Sequence, residues 1–376
     1  IANAKTMTAA VAKEIGCSDD AVFVCSTGVI GVPLPMPVIL GGIPKGVQLL
    51  GSSDQHLLDS ATSMMTTDTF PKLTSVDVKV SGGTVRVSGV CKGAAMIAPN
   101  MATMLAVILT DAVMTPEQCD AALRFGVDRT FNCISVDGHM STSDTVLLLA
   151  NGASGGSLNA DDLVKVRDAV QQVCQTLATK IIRDAEGADH FITIDVNGLA
   201  TRDQAFRMAR EIADSALVKT AITGGDPNWG RIVSAAGYAG VDFDTAFLTL
   251  RINATEVYRA GTPVPFSAAE LSSQLKSNRD VHLNLTLSGG PCSGKNRPDR
   301  TRATRRTSAT HPPGRAFRSQ SSCCILLKNS TTPGTATRRI DLDRAAIRLD
   351  VDEVVDIRRL LVEPGQQARK IEMIFA

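Results

Sequence analysis

The segment 92–109 constrains the fold of this 376-residue chain more than any other part of the sequence. A loop that carries Gly, Pro and Asn runs directly into Thr103, and the apolar run 104–109 follows at once. A short, unbroken apolar run of this kind is typical of a strand that is buried on both faces. The segment therefore predicts a buried strand with Thr103 at its mouth, fed by a constrained loop.

Thr103 has two interpretations. A threonine that opens a strand is nearly always structural, because threonine favours strands. If the bond between Ala102 and Thr103 breaks, however, Thr103 gains a free α-amine beside its own hydroxyl. That amine can act as the general base that activates the hydroxyl oxygen for nucleophilic attack. The position alone favours the structural interpretation.

Hydrophobic periodicity predicts helices and strands that mix with a hairpin along the chain. The pattern predicts a hairpin over 76–87 that turns at Gly82-Gly83. Capping boxes are expected at Thr115–Gln118, Thr201–Gln204 and Ser267–Glu270, each opening a helix. Further helices are predicted over 4–15 and 163–181, and strands over 21–24, 104–109, 145–150, 191–196, 248–252 and 281–287. This mixture predicts an α+β fold with layered sheets and helices.

The segment 151–157, Asn-Gly-Ala-Ser-Gly-Gly-Ser, predicts a flexible joint between a first domain, 1–150, and a second domain, 158–288. Beyond residue 290 the character of the sequence changes. Residues 297–318 hold seven arginines and one acidic residue without helical or strand periodicity. We therefore expect 291–376 to be a largely disordered or out-of-frame tail, although 340–374 regains apolar and acidic residues.

Composition excludes several classes of protein. A net charge of +1 gives no global bias towards nucleic acid or membrane surfaces. The nine cysteines and five histidines are scattered without metal-ligand spacing, so neither a metal site nor a disulfide framework is predicted. No apolar run is long enough to span a bilayer, and a reducing cytosol suits the cysteines.

Four segments, 25–36, 65–72, 92–111 and 226–231, resemble the ornithine acetyltransferase family of bifunctional glutamate N-acetyltransferases, and they occur in the family's order. The resemblance covers roughly residues 1 to 288. Members of this family have two domains in which helices sandwich sheets, with the active site between them. The family's opening strands and its closing substrate ligands have no counterparts here. We therefore expect a truncated chain that is weakly active or inactive as written.

The resemblance implies that the chain cleaves itself between Ala102 and Thr103, and that Thr103 becomes the nucleophile. It also implies that the Thr27 hydroxyl and the Gly28 backbone N–H form the oxyanion hole. Without the resemblance, the sequence Ser-Thr-Gly at 26–28 is interpreted as a turn, because these residues are common in turns.

By the same resemblance, substrate is bound by Thr69, Lys92, Thr103 and Glu186, although Thr66 and Thr67 lie close enough to blur the assignment of Thr69. An ammonium suits the carboxylate of an acetyl-amino acid, and a carboxylate suits an α-ammonium. From the residues alone, Lys92 and Glu186 are interpreted as solvated side chains, the latter before a glycine helix cap. We expect all the site residues to converge on one cleft. Trp229 is interpreted as a core anchor, with anion binding at Arg231 as the alternative.

The resemblance implies a ping-pong transfer of acetyl from N-acetylornithine to glutamate in arginine biosynthesis, which yields ornithine and N-acetylglutamate. No metal or organic cofactor is implied, and acetyl-CoA is an alternative acetyl donor. The two self-derived chains are expected to stay together within a higher oligomer, without membrane or nucleic-acid partners. The expected location is the cytoplasm, or the mitochondrial matrix in a eukaryote.

Two other functions remain open from the sequence. The first is a related self-cleaving amidohydrolase or aminopeptidase, in which water replaces glutamate as the acceptor. The second is an inactive remnant whose basic tail binds nucleic acid, although a run of like charge is often simply solvated.

Overall fold

The computed structural model describes residues 1–97 and 104–288 in full, and the backbone of residues 303–310 and 372–375. The helices of these ranges are α1 Ala2–Ile15, α2 Met36–Gln48, α3 Asp54–Ser63, α4 Pro116–Val127, α5 Ala160–Arg183, α6 Arg202–Asp214, α7 Ala216–Thr223, α8 Trp229–Gly237 and α9 Ala268–Ser277. The strands are β1 Val22–Cys25, β2 Lys72–Val80, β3 Gly83–Lys92, β4 Leu105–Thr110, β5 Ile134–Ser135, β6 Thr145–Ala150, β7 Ala188–Asn197, β8 Leu248–Ile252, β9 Thr255–Arg259, β10 Thr262–Pro263, β11 Asp280–Leu287, β12 Ala303–Thr310 and β13 Glu372–Phe375. Mixed helices and sheets confirm the predicted α+β class.

Helix starts follow the local capping chemistry of the sequence. Thr115 accepts a hydrogen bond from the Gln118 N–H at 3.3 Å, and the Gln118 side chain accepts from the Thr115 N–H at 2.9 Å. Thr201 and Gln204 form the same reciprocal pair at the start of α6. Two of the three predicted capping boxes are confirmed, and each N-cap stabilises its helix by about 1 kcal/mol. At α9, Ser267 caps the helix by accepting from the Glu270 N–H at 3.4 Å, without the reciprocal side-chain bond among the described residues.

The first sheet has the strand order β2-β3-β4-β6 among the described residues. β2 and β3 form the predicted antiparallel hairpin, β4 lies antiparallel to β3, and β6 lies parallel to β4. β4 is the predicted buried strand, because its residues 105–108 are at most 3% exposed. Ala106 and Ile108 face the helix α5, whereas Leu105 and Val107 pack on the opposite face with Cys25 of β1.

Helix α5 belongs to the core of the first sheet. Its buried face includes Val173 and Leu177, whose methyl groups lie directly over Gly89 of β3. The hydrophobic core on this face is therefore built from chain on both sides of segment 151–157. A division into domains at that segment stays a prediction.

The second sheet has the order β10-β9-β8-β11-β7-β12-β5 among the described strands. Ile192, Ile194 and Val196 of β7 enter a core formed with α6, α8 and α9. Phe191, on the alternate side of β7, packs instead into the core that contains α5. Because successive strand residues point to opposite faces, β7 joins the two cores.

The backbone of 303–310 departs from the expectation for the tail. It forms β12, which lies antiparallel to β7 and parallel to β5. Strand pairing depends on backbone N–H and C=O groups, which any sequence except proline supplies, so two open strand edges suffice without side-chain periodicity. β13 pairs in parallel with β1. The remainder of the predicted tail lies outside the described residues.

The contact between α5 and β3 predicts an overpacking effect at Gly89. A Cβ added at this position would lie 2.7 Å from Val173 Cγ1 and 2.9 Å from Leu177 Cδ1. We expect Gly89→Ala to lower the free energy of unfolding by about 1–3 kcal/mol in a urea titration.

Gly41→Ala is the matched control, because its Cβ within α2 has no neighbour within 4 Å. This control is expected to gain up to about 1 kcal/mol from helix propensity. Equal stability of Gly89→Ala and the wild type would contradict the close packing of α5.

Candidate active site

A fully buried lysine lies at the start of the hairpin. Lys72 opens β2, and its ammonium is 2.5 Å from both Asp68 Oδ1 and Asp184 Oδ2. The side chains of the three residues, here called the buried charge cluster, are at most 2% exposed. Charges removed from water to this extent are tolerated only when they are paired and hydrogen-bonded.

The carboxylates of the buried charge cluster also fix nearby backbone. Asp68 accepts hydrogen bonds from the N–H groups of Gly93, at 2.7 Å, and Thr66, at 3.2 Å. Burial acts to raise the pKa of Asp68, but the hydrogen bond and charge of Lys72 and the Gly93 N–H outweigh it, so the pKa lies below its ordinary value. Asp68 therefore stays ionised and holds the end of β3.

Asp184 holds a second piece of the chain. It lies at the C-terminal end of α5 and accepts from the Thr69 N–H at 2.9 Å and from the Thr69 hydroxyl. The hydroxyl donates its one proton to Asp184, so its oxygen retains lone pairs that can accept a hydrogen bond. The turn before β2, the end of β3 and the end of α5 thus meet at the buried charge cluster.

Three of the residues predicted to bind substrate lie next to this meeting point. Thr69 follows Asp68 in the chain, and Lys92 precedes Gly93. Glu186 lies two residues after Asp184, and its N–H donates to the Ala94 carbonyl at 3.0 Å. The structure therefore brings their three segments together, while their role in binding stays a prediction.

Lys92 is buried, and its ammonium has no hydrogen-bond or ion-pair partner among the described residues. The residue is 3% exposed, and no described carboxylate lies within 4 Å of its nitrogen as an ion pair. Burial is the main cause that lowers the pKa of Lys92, and the charge of Lys72 acts in the same direction. The opposing charges are those of Asp68, Asp144 and Glu186. Such a desolvated cation is a strong partner for an incoming carboxylate.

The loop 93–97 is held at both ends. Asp137 accepts from the Met96 N–H at 2.6 Å and the Ile97 N–H at 3.1 Å, while Asp68 holds Gly93. Met96 adopts a left-handed backbone with φ of 55°, which a residue with a side chain rarely takes. The bonds to Asp137 compensate for that strain, which is on the order of 1 kcal/mol.

The predicted cleavage site itself, Ala102 and Thr103, lies outside the described residues. The chain resumes at Met104, whose N–H donates to Asp144 Oδ1 at 2.9 Å. The Met104 carbonyl accepts from the Thr145 N–H at 3.1 Å. The N–H and the carbonyl of Met104 are therefore both hydrogen-bonded at the start of β6.

Thr27 and Gly28, the predicted oxyanion-hole residues, follow β1. Burial raises the pKa of the Cys25 thiol at the end of β1, and its hydrogen bond with Thr145 opposes this effect. Because Thr145 also bonds Met104, the chain just before Thr27 lies beside the start of β4. Thr27 is half-buried and Gly28 is exposed, and no hydrogen bond joins either to the buried charge cluster in the described chain. Convergence on one cleft with Thr103 stays a prediction.

Asp144 is a residue of this region that the sequence interpretation missed. Its carboxylate bonds the N–H groups of Met104 and Ser141, and burial raises the pKa of Asp144 to about 6. The available signal was a carboxylate just before the predicted strand 145–150. Lys72, Asp68 and Asp184 were also missed, although the first two lie in the segment 65–72.

The motif 226–231 serves packing. Trp229 stacks on Tyr258 with ring centroids 5.1 Å apart and packs against the core of the second sheet. The Arg231 guanidinium donates to the Leu217 carbonyl and the Thr220 hydroxyl. These contacts agree with the interpretation of Trp229 as a core anchor.

Comparison with known proteins identifies the family. The ArgJ family model matches residues 1–297. The chain belongs to the ArgJ family. The arginine biosynthesis bifunctional protein ArgJ of Rhodopirellula baltica is 46% identical over 293 residues, which are 77% of this chain and 72% of that protein. The glutamate N-acetyltransferase of Methanocaldococcus jannaschii is 43% identical over 284 residues, 74% of this chain and 70% of that protein.

A solved structure and two negative findings complete the comparison. The crystal structure of the ArgJ protein from Bacillus halodurans is 31% identical and covers 55% of this chain and 94% of that chain, with a TM-score of 0.47. Within the described ranges, no helix has the length and apolar character needed to cross a membrane. The same ranges contain no group of three His, Cys, Asp or Glu side chains placed to hold a metal ion.

The raised pKa of Asp144 predicts a pH dependence of stability. Because the folded state binds the proton more tightly than the unfolded state, this group stabilises the fold at low pH. That contribution is lost as pH rises from about 4 towards about 6. We expect Asp144→Asn to lack this change, because its amide does not titrate but still accepts from Met104.

The measurement is the free energy of unfolding of the wild type and Asp144→Asn at several pH values across this window. The wild-type value minus the variant value should fall as pH rises. A difference that stays constant with pH would show that Asp144 titrates normally.

Proposed function

We propose that this chain is an acetyltransferase of arginine biosynthesis that transfers an acetyl group from N-acetylornithine to glutamate. The family match over residues 1–297, with relatives named for this pathway and for glutamate N-acetylation, carries the proposal. The meeting of the segments that hold Thr69, Lys92 and Glu186 at one buried charge cluster supports it.

Both substrates are amino acids, so the proposed pocket must bind a carboxylate and an ammonium. The Lys92 ammonium binds the carboxylate, and the Glu186 carboxylate binds the α-ammonium of ornithine or glutamate. The Thr69 hydroxyl donates its hydrogen bond to Asp184, so its oxygen accepts a hydrogen bond from the substrate.

The proposed catalytic cycle begins after self-cleavage between Ala102 and Thr103. The Thr103 hydroxyl loses its proton to the new α-amine and attacks the acetyl carbon, while Thr27 and Gly28 stabilise the oxyanion. The C–N bond breaks, the leaving nitrogen takes the proton, and ornithine departs. The α-ammonium of glutamate then loses a proton to the Thr103 α-amine, and the neutral amine attacks the acetyl carbon of acetyl-threonine. The ester C–O bond breaks, the Thr103 oxygen takes a proton back, and N-acetylglutamate departs.

The cycle needs neither a metal nor an organic cofactor, and acetyl-CoA is an alternative donor to be assayed. After cleavage, β3 and β4 would belong to different fragments. Six residue pairs from Val87↔Thr110 to Lys92↔Leu105 join these strands, so the sheet would hold the fragments together. A higher oligomer stays an expectation from the resemblance.

Removal of the nucleophile should abolish both cleavage and transfer. We expect wild-type protein to separate on a denaturing gel into 1–102 and 103–376, with Thr103 as a new N-terminus by mass spectrometry. Thr103→Ala should remain one chain and transfer no acetyl, whereas Thr103→Ser keeps a hydroxyl and should retain part of both activities. A wild-type chain that stays intact and still transfers acetyl would contradict the mechanism.

Loss of the oxyanion donor should act on the rate. Thr27→Ala is expected to lower kcat for acetyl transfer by about 10²–10³. Thr62→Ala, at an exposed position of helix α3, is the matched control and should behave as the wild type. An assay without glutamate distinguishes the proposed transferase from the rival amidohydrolase. An amidohydrolase would release acetate at the same rate without glutamate, because water is its acceptor.

A further inference from the structure

We propose that Lys72 is a positioning residue that keeps Lys92 and Glu186 apart and available for the two charged ends of the substrate. This inference rests on the proposed function, because it assigns those two residues to substrate. Lys72 itself has no part in the chemistry, since its ammonium is completely buried between Asp68 and Asp184.

The geometry behind this inference is a closed ring of contacts. From Lys72, one arm runs through a carboxylate to the backbone that carries Lys92, and the other runs through a carboxylate to the backbone that carries Glu186. The two arms meet in a backbone hydrogen bond. The links are Lys72–Asp68 at 2.5 Å, Asp68–Gly93 N–H at 2.7 Å, Ala94 carbonyl–Glu186 N–H at 3.0 Å and Asp184–Lys72 at 2.5 Å.

The ring explains why two opposite charges do not pair. Lys92 and Glu186 attract each other, yet they form no ion pair within 4 Å in the described structure. The attraction between opposite charges is strong where water is excluded, so their separation depends on how closely the two backbones allow the side chains to approach. The ring fixes both backbones, so the cation and the anion remain separate.

Charge balance assigns a second effect to Lys72. The buried charge cluster holds two carboxylates and one ammonium, which leaves one negative charge in excess. The charge of Asp68 attracts the Lys92 ammonium, while the charge of Lys72 repels the Lys92 ammonium. Without Lys72, two unpaired buried carboxylates remain, and Lys92 is the cation drawn towards them and away from substrate.

The experiment compares Lys72→Met, which removes the charge, with Lys72→Arg, which retains it. Lys180→Met is the matched control, because Lys180 also ties α5 to β2, through the Leu73 carbonyl at 2.5 Å, without touching either carboxylate. KM and kcat are measured for N-acetylornithine and glutamate with the full chain. Fragment patterns and melting temperatures are recorded for each variant.

We expect Lys72→Met to raise KM for both substrates by about tenfold or more with little change in kcat. Lys72→Arg should restore most of the loss, and Lys180→Met should match the wild type. If Lys72→Met lowers only the melting temperature and leaves KM equal to that of Lys180→Met, the role is structural and the proposal is wrong.

Two further arms keep the test decisive. If Lys72→Met does not fold, the uncharged variant Lys72→Met/Asp68→Asn/Asp184→Asn replaces it, since its amides still accept from Gly93 and Thr69. A wild-type KM in that variant overturns the proposal, and a raised KM supports it.

If the wild type transfers no acetyl at all, which is the outcome expected for a truncated and inactive chain, the proposed function fails on its own for the chain as written. The positioning role is then measured by NMR of isotope-labelled lysine, with Lys92 assigned from a Lys92→Arg sample. Lys72→Met should raise the pKa of Lys92 relative to the wild type and Lys180→Met, because a nearby positive charge is lost. An unchanged pKa overturns the proposal.

Discussion

The buried ion pairs of Lys72 with Asp68 and Asp184 are the interaction on which the rest of this region depends. Burying a charge costs several kcal/mol, so each partner must stay within hydrogen-bonding distance of the others. Asp68 lies in the turn before β2, and Asp184 lies at the end of α5. A displacement of either element would leave a buried charge unpaired. The ion pairs therefore hold α5 in a fixed position relative to the first sheet.

The start of β4 follows a second constraint. β4 is buried on both faces, so its interior offers no room for a polar ligand. Chemistry at such a strand is confined to its ends, where backbone groups lack ladder partners. The Asp144 carboxylate accepts a hydrogen bond from the Met104 N–H, and the Thr145 N–H donates to the Met104 carbonyl. These two bonds fix the direction in which the preceding chain leaves the sheet.

Local signals allowed most elements to be predicted from the sequence. The hairpin β2–β3, the buried strand β4 and the helix caps at Thr115 and Thr201 depend on residues a few positions apart. The buried charge cluster could not be predicted in this way, because Lys72 and Asp184 are 112 residues apart. The same holds for β12, which pairs through backbone edges without a side-chain pattern. Family resemblance named Thr69, Lys92 and Glu186, but it gave no physical reason for their proximity.

That reason lies in the electrostatics of binding a zwitterion. A pocket for such a ligand must hold a cation and an anion at a fixed separation before the ligand arrives, although the two attract each other. Backbones tied into a closed ring limit how closely the two side chains can approach each other. The ionic ring through Lys72 therefore performs in advance the ordering that a flexible pocket would have to perform on binding. The three buried charges of the cluster serve to preorganise the pocket rather than to add net stability. An apolar residue in place of Lys72, which lies opposite Cys91 in the hairpin, would fill the same space without desolvating any charge.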